Sequence, residues 1–335
     1  MPLFHILAMT ALILAGLAGG ANAATTTVRV AVPYSLSSAA GRNLVIFERE
    51  VEASGIGLDI ALHPDDSLVA GNEVPNAVAA GALEMGVASL ARFAATLPAV
   101  ELFQLPFLLD REELVRAATE PSSPVRGLID AAILETGARV LWWQAGGGTV
   151  LVARERPVRV PEDLRGRKVR VPNRILARWV ELLGGEPVRV GTADQPAAYR
   201  QGTAELGMTG LSTIRSRQLD AVVKGITDLR LADSEYLVLI NDAFWRRLDD
   251  RQRQLLTQVA RRLEGELRDR VAQAERDALA YAREKGMTVY RPTPAELARF
   301  RAASEPLWRA FVERAGEPGK RLLDAVEGLK RKAGG

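Results

Sequence analysis

The sequence predicts an α/β protein in which a mostly parallel sheet is covered by helices on both faces. Two observations lead to this class. Short β-rich runs alternate with amphipathic helical stretches along most of the chain, and one much longer helical pattern follows them. The chain has 335 residues, 47% of them hydrophobic and 25% charged, as in ordinary globular proteins. It contains more strands than one compact sheet needs, so we expect two such domains.

The predicted strands are short apolar or β-branched runs bounded by polar residues. In chain order they are 28–32 (VRVAV), 58–62 (LDIAL), 85–89 (MGVAS), 140–143 (VLWW), 168–171 (KVRV), 207–210 (GMTG) and 237–240 (LVLI). Helices are predicted between them, notably over 39–53 and 73–80. A further strand is predicted in MTVYRP, and a helical pair over 293–315.

The longest predicted element is a helix with Asp249 or Asp250 as its N-cap and Gly286 as its C-cap. Its length is about 50 Å at 1.5 Å per residue, enough to run past two domains and brace them. The alternative is a coiled-coil dimerisation arm, but heptads are not sustained at the end of the stripe. The apolar stripe consists of Leu255, Val259, Leu263, Leu267 and Val271.

The first residues have the pattern of an export signal. An apolar run over 6–20 is followed by Ala21-Asn22-Ala23, the small-x-small pattern of a signal-peptidase site. We therefore predict a signal peptide over 1–23 and a periplasmic location, although no Lys or Arg precedes the apolar run. A buried N-terminal helix is the alternative. Nothing else reaches the length of a membrane span, so we expect a soluble protein that is not membrane-embedded.

Residue counts exclude several kinds of chemistry. The sequence has no cysteine and two histidines, of which only His63 lies outside the predicted signal peptide. Cys–His catalysis and metal sites built on several His or Cys ligands are therefore excluded. Asp65 and Asp66 beside His63 fit a Pro-Asp-Asp turn better than a metal site. We predict no cofactor and no metal, and the net charge of +3 indicates no nucleic-acid partner.

The stretch DLRGRKVRVPN (163–173) contains four cations, which strand geometry separates. Ligands of open α/β sheets bind at the carboxyl ends of the strands. Arg170 lies one residue before the end of its strand, whereas Arg165, Arg167 and Lys168 lie at or before its beginning. The guanidinium fork can bind a carboxylate through two parallel hydrogen bonds. Arg170 is therefore the candidate anion-binding residue, and a salt-bridged cation at the sheet edge is the alternative.

Two longer motifs are fairly specific when they occur together. One is LPFL within ELFQLPFLLD (101–110), and the other is EDLRGRKVRVP (162–172), which contains Arg170. With them the chain resembles the solute-binding subunits of TRAP transporters, the DctP-like group, over roughly 28–287. The resemblance implies a type II-like, Venus-flytrap binding protein with two lobes and a long bracing helix. It would capture an organic acid anion between the lobes and deliver it to the TRAP transporter membrane subunits, without catalysis.

The resemblance also implies boundaries and site residues. Lobe I would comprise 24–145 plus about 235–265, and lobe II would comprise 146–234 plus about 266–335. The family's carboxylate-binding arginine falls on Arg170. Thr209 stands where a ligand-contacting Asn is usual, and Thr149 where a second cation is frequent, so we expect a monocarboxylate or another atypical ligand. The remaining residues implied near the cleft are Glu73, Tyr34, Phe93, Trp143 and Asn173.

Three questions stay open at this point. A ligand-sensing adaptor for a signalling receptor fits the sequence as well as a transport subunit does. A periplasmic enzyme using paired carboxylates such as Glu73 and Glu205 is a third hypothesis. The sequence also leaves open whether the protein is a monomer or a dimer.

Overall fold

Ten strands form one mixed sheet in the computed structural model, which describes residues 25–334. The predicted signal peptide over 1–23 lies outside these residues. In chain order the strands are β1 (Thr26–Ala31), β2 (Leu58–His63), β3 (Met85–Ser89), β4 (Ala138–Ala153), β5 (Lys168–Val171), β6 (Glu186–Arg189), β7 (Leu206–Gly210), β8 (Gly225–Thr227), β9 (Asp233–Asn241) and β10 (Thr288–Tyr290).

The helices lie in the connections between strands, and α1 and α2 match their predicted ranges to within one residue at each end. They are α1 (Ala39–Ala53), α2 (Val74–Ala79), α3 (Glu112–Thr119), α4 (Pro124–Leu134), α5 (Arg174–Leu182), α6 (Gln195–Gln201), α7 (Leu211–Ser216), α8 (Asp242–Arg247), α9 (Asp250–Glu284) and α10 (Pro294–Gly334). Short 3₁₀ helices add the segments Leu90–Phe93, Pro98–Gln104, Pro161–Leu164 and Leu219–Ala221.

The sheet is mixed, which corrects the expectation of a mostly parallel one. Strands β2-β1-β3 are parallel and form the first half, and β7-β5-β6 are parallel and form the second half. Strands β9 and β4 lie between the halves and pair antiparallel with each other, with β3 and with β7. The sequence showed only 140–143 of the 16-residue β4 as strand, because the glycines that follow resemble a turn.

The glycine run 146–148 is a bend within β4 and not a separate turn. The ladder between β4 and β9 shifts register between Ala145 and Gly147, and Gly147 has φ +92°. The N–H of Gly148 donates to Glu275 Oε1 at 2.6 Å. A Cβ added at Gly147 would lie 2.8 Å from the same oxygen. Glycine is therefore required here by both the backbone conformation and the close approach of Glu275.

Three apolar clusters cover the two faces of the sheet. The largest lies on one face and draws on both halves, with Trp143 and Val169 among its members. On the other face, one cluster packs Trp142 beneath α1, and a second packs Val150 around Tyr199. Adjacent tryptophans therefore both lie in the core, on opposite faces of β4, as strand alternation requires.

Helix α9 is the predicted bracing helix. Asp249 is its N-cap and forms a capping box with Gln252, and Gly286 follows the C-cap Lys285 in the left-handed conformation. The helix packs against α1 of the first half, and against α7 and β10 next to the second half. Its buried stripe differs slightly from the predicted one, since Leu256 is buried and Leu255 only partly so.

Helix α10 consists of two helical stretches joined at Gly316, where φ is 60° and ψ is −148°. The sequence predicted a helical pair over 293–315 only. The chain after Gly316 is helical because Leu322 and Val326 are buried against the largest apolar cluster.

Candidate functional site

Arg170 lies on the face of β5 opposite to the largest apolar cluster. Its neighbours Val169 and Val171 point into that cluster, so alternation places Arg170 on the other face. Its Nε donates to the carbonyl of Val190 at 2.9 Å and its Nη1 to the carbonyl of Met208 at 2.5 Å. Nη2 approaches Thr192 Oγ1 at 3.4 Å, and the residue is only 4% exposed.

Among the buried arginines of residues 25–334, Arg170 differs from Arg126 and Arg268 in having no acidic partner there. Arg126 pairs with Glu264 and Asp130, and Arg268 pairs with Glu235. Within residues 25–334, Arg170 forms no salt bridge, and its side chain donates hydrogen bonds only to backbone carbonyls and a hydroxyl. Burial accordingly lowers the pKa of Arg170, because desolvation disfavours its charged form. The site therefore contains a buried cation that lacks a counter-charge in this part of the chain.

Thr209 lies on the same face as Arg170. Arg170 is opposite Gly207 in the pairing of β5 and β7, and Thr209 is two residues further along β7. Thr209 is buried, and its Oγ1 lies 3.4 Å from Gln195 Nε2, which can donate to it. In that arrangement the hydroxyl hydrogen of Thr209 is free to donate to a ligand.

Gln195 and Tyr199 are two site neighbours that sequence reasoning missed. Both are buried, and the hydroxyl of Tyr199 lies 3.5 Å from Gln195 Oε1. A Cβ added at Gly207 would overlap this hydroxyl, so a glycine is needed opposite Arg170. The sequence signal for this pair was the spacing of Gln195 and Tyr199, since residues four apart lie on one face of a helix.

Asn173 begins α5 directly after the strand that carries Arg170. Its Oδ1 accepts from the N–H of Leu176 at 2.9 Å, which makes it the N-cap. Its Nδ2 donates to Gln104 Oε1 at 2.7 Å, and Gln104 Nε2 donates to the carbonyl of Asp233 at 2.8 Å. One amide hydrogen of Asn173 remains for another acceptor.

Thr149 is not brought together with the Arg170 side chain. Val150 is opposite Thr209 in the pairing of β4 and β7, so Val150 shares the face of Arg170 and Thr149 takes the opposite face. The backbone of Thr149 bonds to Leu231 and Ala232. Its predicted role as a donor to the same carboxylate has no support from this register and stays a prediction.

Tyr34 follows β1 at its carboxyl end, the edge at which a ligand is expected. Its hydroxyl donates to Gln144 Oε1 at 3.2 Å, and its ring meets that of Tyr236 edge to face with centroids 5.5 Å apart. Burial raises the pKa of Tyr34, so its hydroxyl keeps its proton at neutral pH.

The other predicted ligand contacts lie elsewhere. Trp143 is wholly buried and its Nε1 donates to Asp130, while Phe93 is buried in the same apolar cluster. Glu73 is exposed, precedes α2 and accepts a hydrogen bond from Asn72. These positions give no support to direct ligand contacts by the three residues, which stay predictions.

The cations at the amino end of β5 lie at the surface or in an ion pair there. Arg167 pairs with Glu205 at 2.5 Å, and Arg165 and Lys168 are exposed. Glu205 is one of the two carboxylates that the enzyme hypothesis pairs, and here it is bound by Arg167. The other carboxylate, Glu73, precedes α2 in the first half of the sheet. The structure therefore shows no contact that would make these two groups a catalytic pair.

Within residues 25–334, no cluster of three or more His, Cys, Asp or Glu side chains is arranged to hold a metal ion. His63 ends β2 and is followed by Asp65 and Asp66, both with positive φ, in the predicted turn. None of the helices in the described part of the chain is both long and apolar enough to cross a membrane.

The two halves of the sheet, joined by β4 and β9, form a two-lobed periplasmic binding fold. The profile of the bacterial extracellular solute-binding protein family 7, DctP, matches residues 34–315, and the chain belongs to this family. The resemblance found in the sequence is thereby confirmed. The predicted lobe boundaries stay a prediction.

Relatives and solved structures agree with this assignment. The sialic acid-binding periplasmic protein SiaP of Vibrio cholerae is 23% identical over 305 residues, which cover 90% of this chain and 92% of SiaP. A TRAP periplasmic solute-binding protein from Ochrobactrum anthropi superimposes with a TM-score of 0.84 at 23% identity, covering 92% and 97% of the two chains. DctP6 of Bordetella pertussis is an extracytoplasmic receptor that binds pyroglutamic acid. It superimposes with a TM-score of 0.79 at 23% identity, and the match covers 90% of this chain and 100% of DctP6.

Proposed function

We propose that this protein is the periplasmic receptor of a TRAP transporter and binds an organic acid through an ion pair between Arg170 and the ligand carboxylate. The buried arginine without an acidic partner carries this proposal. A desolvated charge is costly unless it is paired. An incoming carboxylate would supply the partner that Arg126 and Arg268 find within the protein.

The hydrogen bonds of Arg170 leave room for a carboxylate. A guanidinium has five N–H donors. Three of the donors on Arg170 are directed at Val190, Met208 and Thr192, which leaves two for the two oxygens of a carboxylate. The hydroxyl of Thr209 and the second amide hydrogen of Asn173 are the next donors available.

The proposed ligand carries its charge on one carboxylate. The position that in relatives often holds a second cation is Thr149, and this side chain is on the far face of the sheet. Named relatives bind acids of varied form: sialic acid in SiaP of Vibrio cholerae, pyroglutamic acid in DctP6 of Bordetella pertussis. Their common feature is a carboxylate, which is the group that Arg170 would recognise.

The remaining parts of the proposal are supported by family membership and, for export, by the sequence pattern at 21–23. The protein would bind its solute reversibly and not transform it, act in the periplasm after export by its signal peptide, and pass the solute to the TRAP membrane subunits. Binding would favour a closed arrangement of the two halves over an open one.

The test is calorimetric titration of acids selected by a thermal-shift screen. We expect Arg170→Ala to weaken binding by at least about 30-fold, since truncating one partner of a buried charge pair costs roughly 2–5 kcal/mol. Arg170→Lys should also bind poorly, because a lysine lacks the planar fork. Arg167→Ala, at the other end of the same strand, is the matched control and should keep wild-type affinity. Unchanged affinity in Arg170→Ala would contradict the proposal.

A further inference from the structure

A second side chain near the carboxyl edge of the first half also lacks a partner. Gln144 lies on β4, is wholly buried, and accepts a hydrogen bond from the hydroxyl of Tyr34 through Oε1. Its amide nitrogen Nε2 is buried and has no hydrogen-bond partner among residues 25–334. Leaving such a donor unpaired costs free energy, so a buried amide of this kind requires an acceptor from elsewhere.

Exchanging the amide oxygen and nitrogen does not remove this requirement. If Nε2 were the atom next to Tyr34, it would donate to the tyrosine oxygen, and the hydroxyl hydrogen of Tyr34 would then be free. In both orientations the pair of Tyr34 and Gln144 retains a donor hydrogen without an acceptor. The missing group is therefore a hydrogen-bond acceptor, which in an organic acid means an oxygen atom.

The pair lies at the edge where a ligand is expected. Tyr34 follows the carboxyl end of β1. Gln144 is opposite Tyr236 in the ladder of β4 and β9, and Tyr236 is opposite Ser89, the last residue of β3. Arg170 is one residue before the carboxyl end of β5 in the second half. A solute bound between these carboxyl edges would meet one group from each half.

Charge distinguishes the two sides of the site. Tyr34, Gln144 and Tyr236 are neutral and polar. Arg92 is exposed and follows β3. Burial raises the pKa of Tyr236, and the positive charge of Arg92 opposes this rise. A second carboxylate on the ligand would need Arg92 as its ion-pair partner. A carbonyl or hydroxyl oxygen would need only a hydrogen bond from the pair of Gln144 and Tyr34.

We propose that Gln144 is a specificity-determining ligand-binding residue that donates from Nε2 to a carbonyl or hydroxyl oxygen at the end of the acid distant from its carboxylate. The solute class is then an oxygenated monocarboxylic acid, such as an oxo acid or a lactam acid. This inference rests on the proposed function, since it presupposes that Arg170 binds the carboxylate.

The experiment compares acids that match in shape and differ in the distal oxygen. Pyroglutamate is paired with cyclopentanecarboxylate, and levulinate with isocaproate, and all four are titrated into the full chain. Wild type should bind the oxygenated member of at least one pair about 10-fold more tightly. Gln144→Met should weaken that member about 5- to 10-fold and leave its hydrocarbon partner within about 2-fold, as expected for one neutral hydrogen bond.

Two further variants keep the test decisive. Gln254→Leu replaces an exposed glutamine on α9 and should leave every affinity unchanged. Tyr34→Phe keeps the amide and removes the group that orients it, so it should reduce the preference for the oxygenated acid even where Gln144→Met fails to fold. Melting curves without ligand establish which variants are folded.

The outcomes separate this inference from the proposed function. Equal binding of both members of each pair by wild type, or an unchanged preference in Gln144→Met, would overturn the role of Gln144. Tight binding of succinate that is lost in Arg92→Ala and kept in Gln144→Met would overturn it in favour of a dicarboxylate. If wild type and Arg170→Ala bind every acid equally weakly, the proposed function itself is contradicted.

Discussion

Arg268 and Glu235 form a buried bidentate ion pair between α9 and β9. Nη1 of Arg268 donates to Oε1 of Glu235 at 2.9 Å, and Nη2 donates to Oε2 at 3.1 Å. Arg268 is 6% exposed and Glu235 is 2% exposed. The pair therefore joins the bracing helix to a strand that lies between both halves of the sheet.

We predict that Arg268→Met lowers the free energy of unfolding by about 3–5 kcal/mol, because it leaves Glu235 buried without a partner. The double variant Arg268→Met with Glu235→Leu should recover part of this loss, since no unpaired charge remains. Chemical denaturation measures both. Arg262→Met, which breaks an exposed pair with Glu50, is the control and should change stability by less than about 1 kcal/mol. A loss in the control as large as in Arg268→Met would show that the cost is not due to a buried charge.

Arg170→Met should affect stability much less than Arg268→Met does. The substitution removes hydrogen bonds to the carbonyls of Val190 and Met208, but it also removes a desolvated cation and leaves no carboxylate unpaired. We expect the free energy of unfolding of the ligand-free protein to stay within about 1 kcal/mol of wild type. Denaturation in urea is the measurement. A loss comparable to that of Arg268→Met would indicate a structural role for Arg170.

Gly147→Ala should destabilise the protein by about 1–3 kcal/mol. Gly147 has φ +92°, and an added Cβ would lie 2.8 Å from Glu275 Oε1, which accepts the N–H of Gly148. Gly265→Ala is the matched control within helix α9, where an added Cβ meets nothing within 4 Å. That change should stabilise by about 0.5–1 kcal/mol, because alanine favours helix. Melting temperatures that move in the same direction for both variants would refute the prediction.

Stability should fall as pH rises from about pH 5 to about pH 8. Burial raises the pKa of Asp233, against the opposing effect of Arg230, and it raises the pKa of Glu264 as well. A carboxyl with a raised pKa in the folded state holds its proton where the unfolded chain has lost it. Its stabilising contribution is therefore complete at pH values below the pKa of the unfolded chain, about 4. The contribution is lost as the pH rises towards the pKa of the folded state.

Thermal melting across this range measures the effect. Asp233→Asn should flatten the decline, because the amide has no proton to release. Asp269→Asn is the control, since Asp269 is 71% exposed and pairs with Arg116 at the surface. The charged groups that act on Asp233 are Arg230, Glu235, Glu275 and Arg268, and all are retained in both variants. An unaltered pH profile in Asp233→Asn would assign the dependence to other carboxyls.

The place of Arg170 on its strand, and the face on which it lies, could be predicted from the sequence because both depend on four consecutive residues. Alternation and the direction of one strand are enough to separate it from Arg165, Arg167 and Lys168. The same local rules placed α1 and the ends of α9, where capping residues mark the helix in the sequence itself.

The rest of the site depends on register between distant strands, which local patterns do not contain. Thr149 lies on the face opposite to Arg170 because the pairing of β4 with β7 sets Val150 opposite Thr209. Gln195 contacts Thr209 only because α6 packs on the sheet. Gln144 contacts Tyr34 although the two residues are 110 positions apart in the sequence. The glycines within β4 hid its length, since a bend and a turn have the same composition.

The two long strands between the halves have a consequence for how the protein melts. Because β9 pairs with β4 from Asp233 to Asn241, and one apolar cluster draws on both halves, neither half has a complete core of its own. The two halves, which we propose close on a bound solute, should nevertheless lose their structure together. Calorimetry of the whole chain would then record a single cooperative transition.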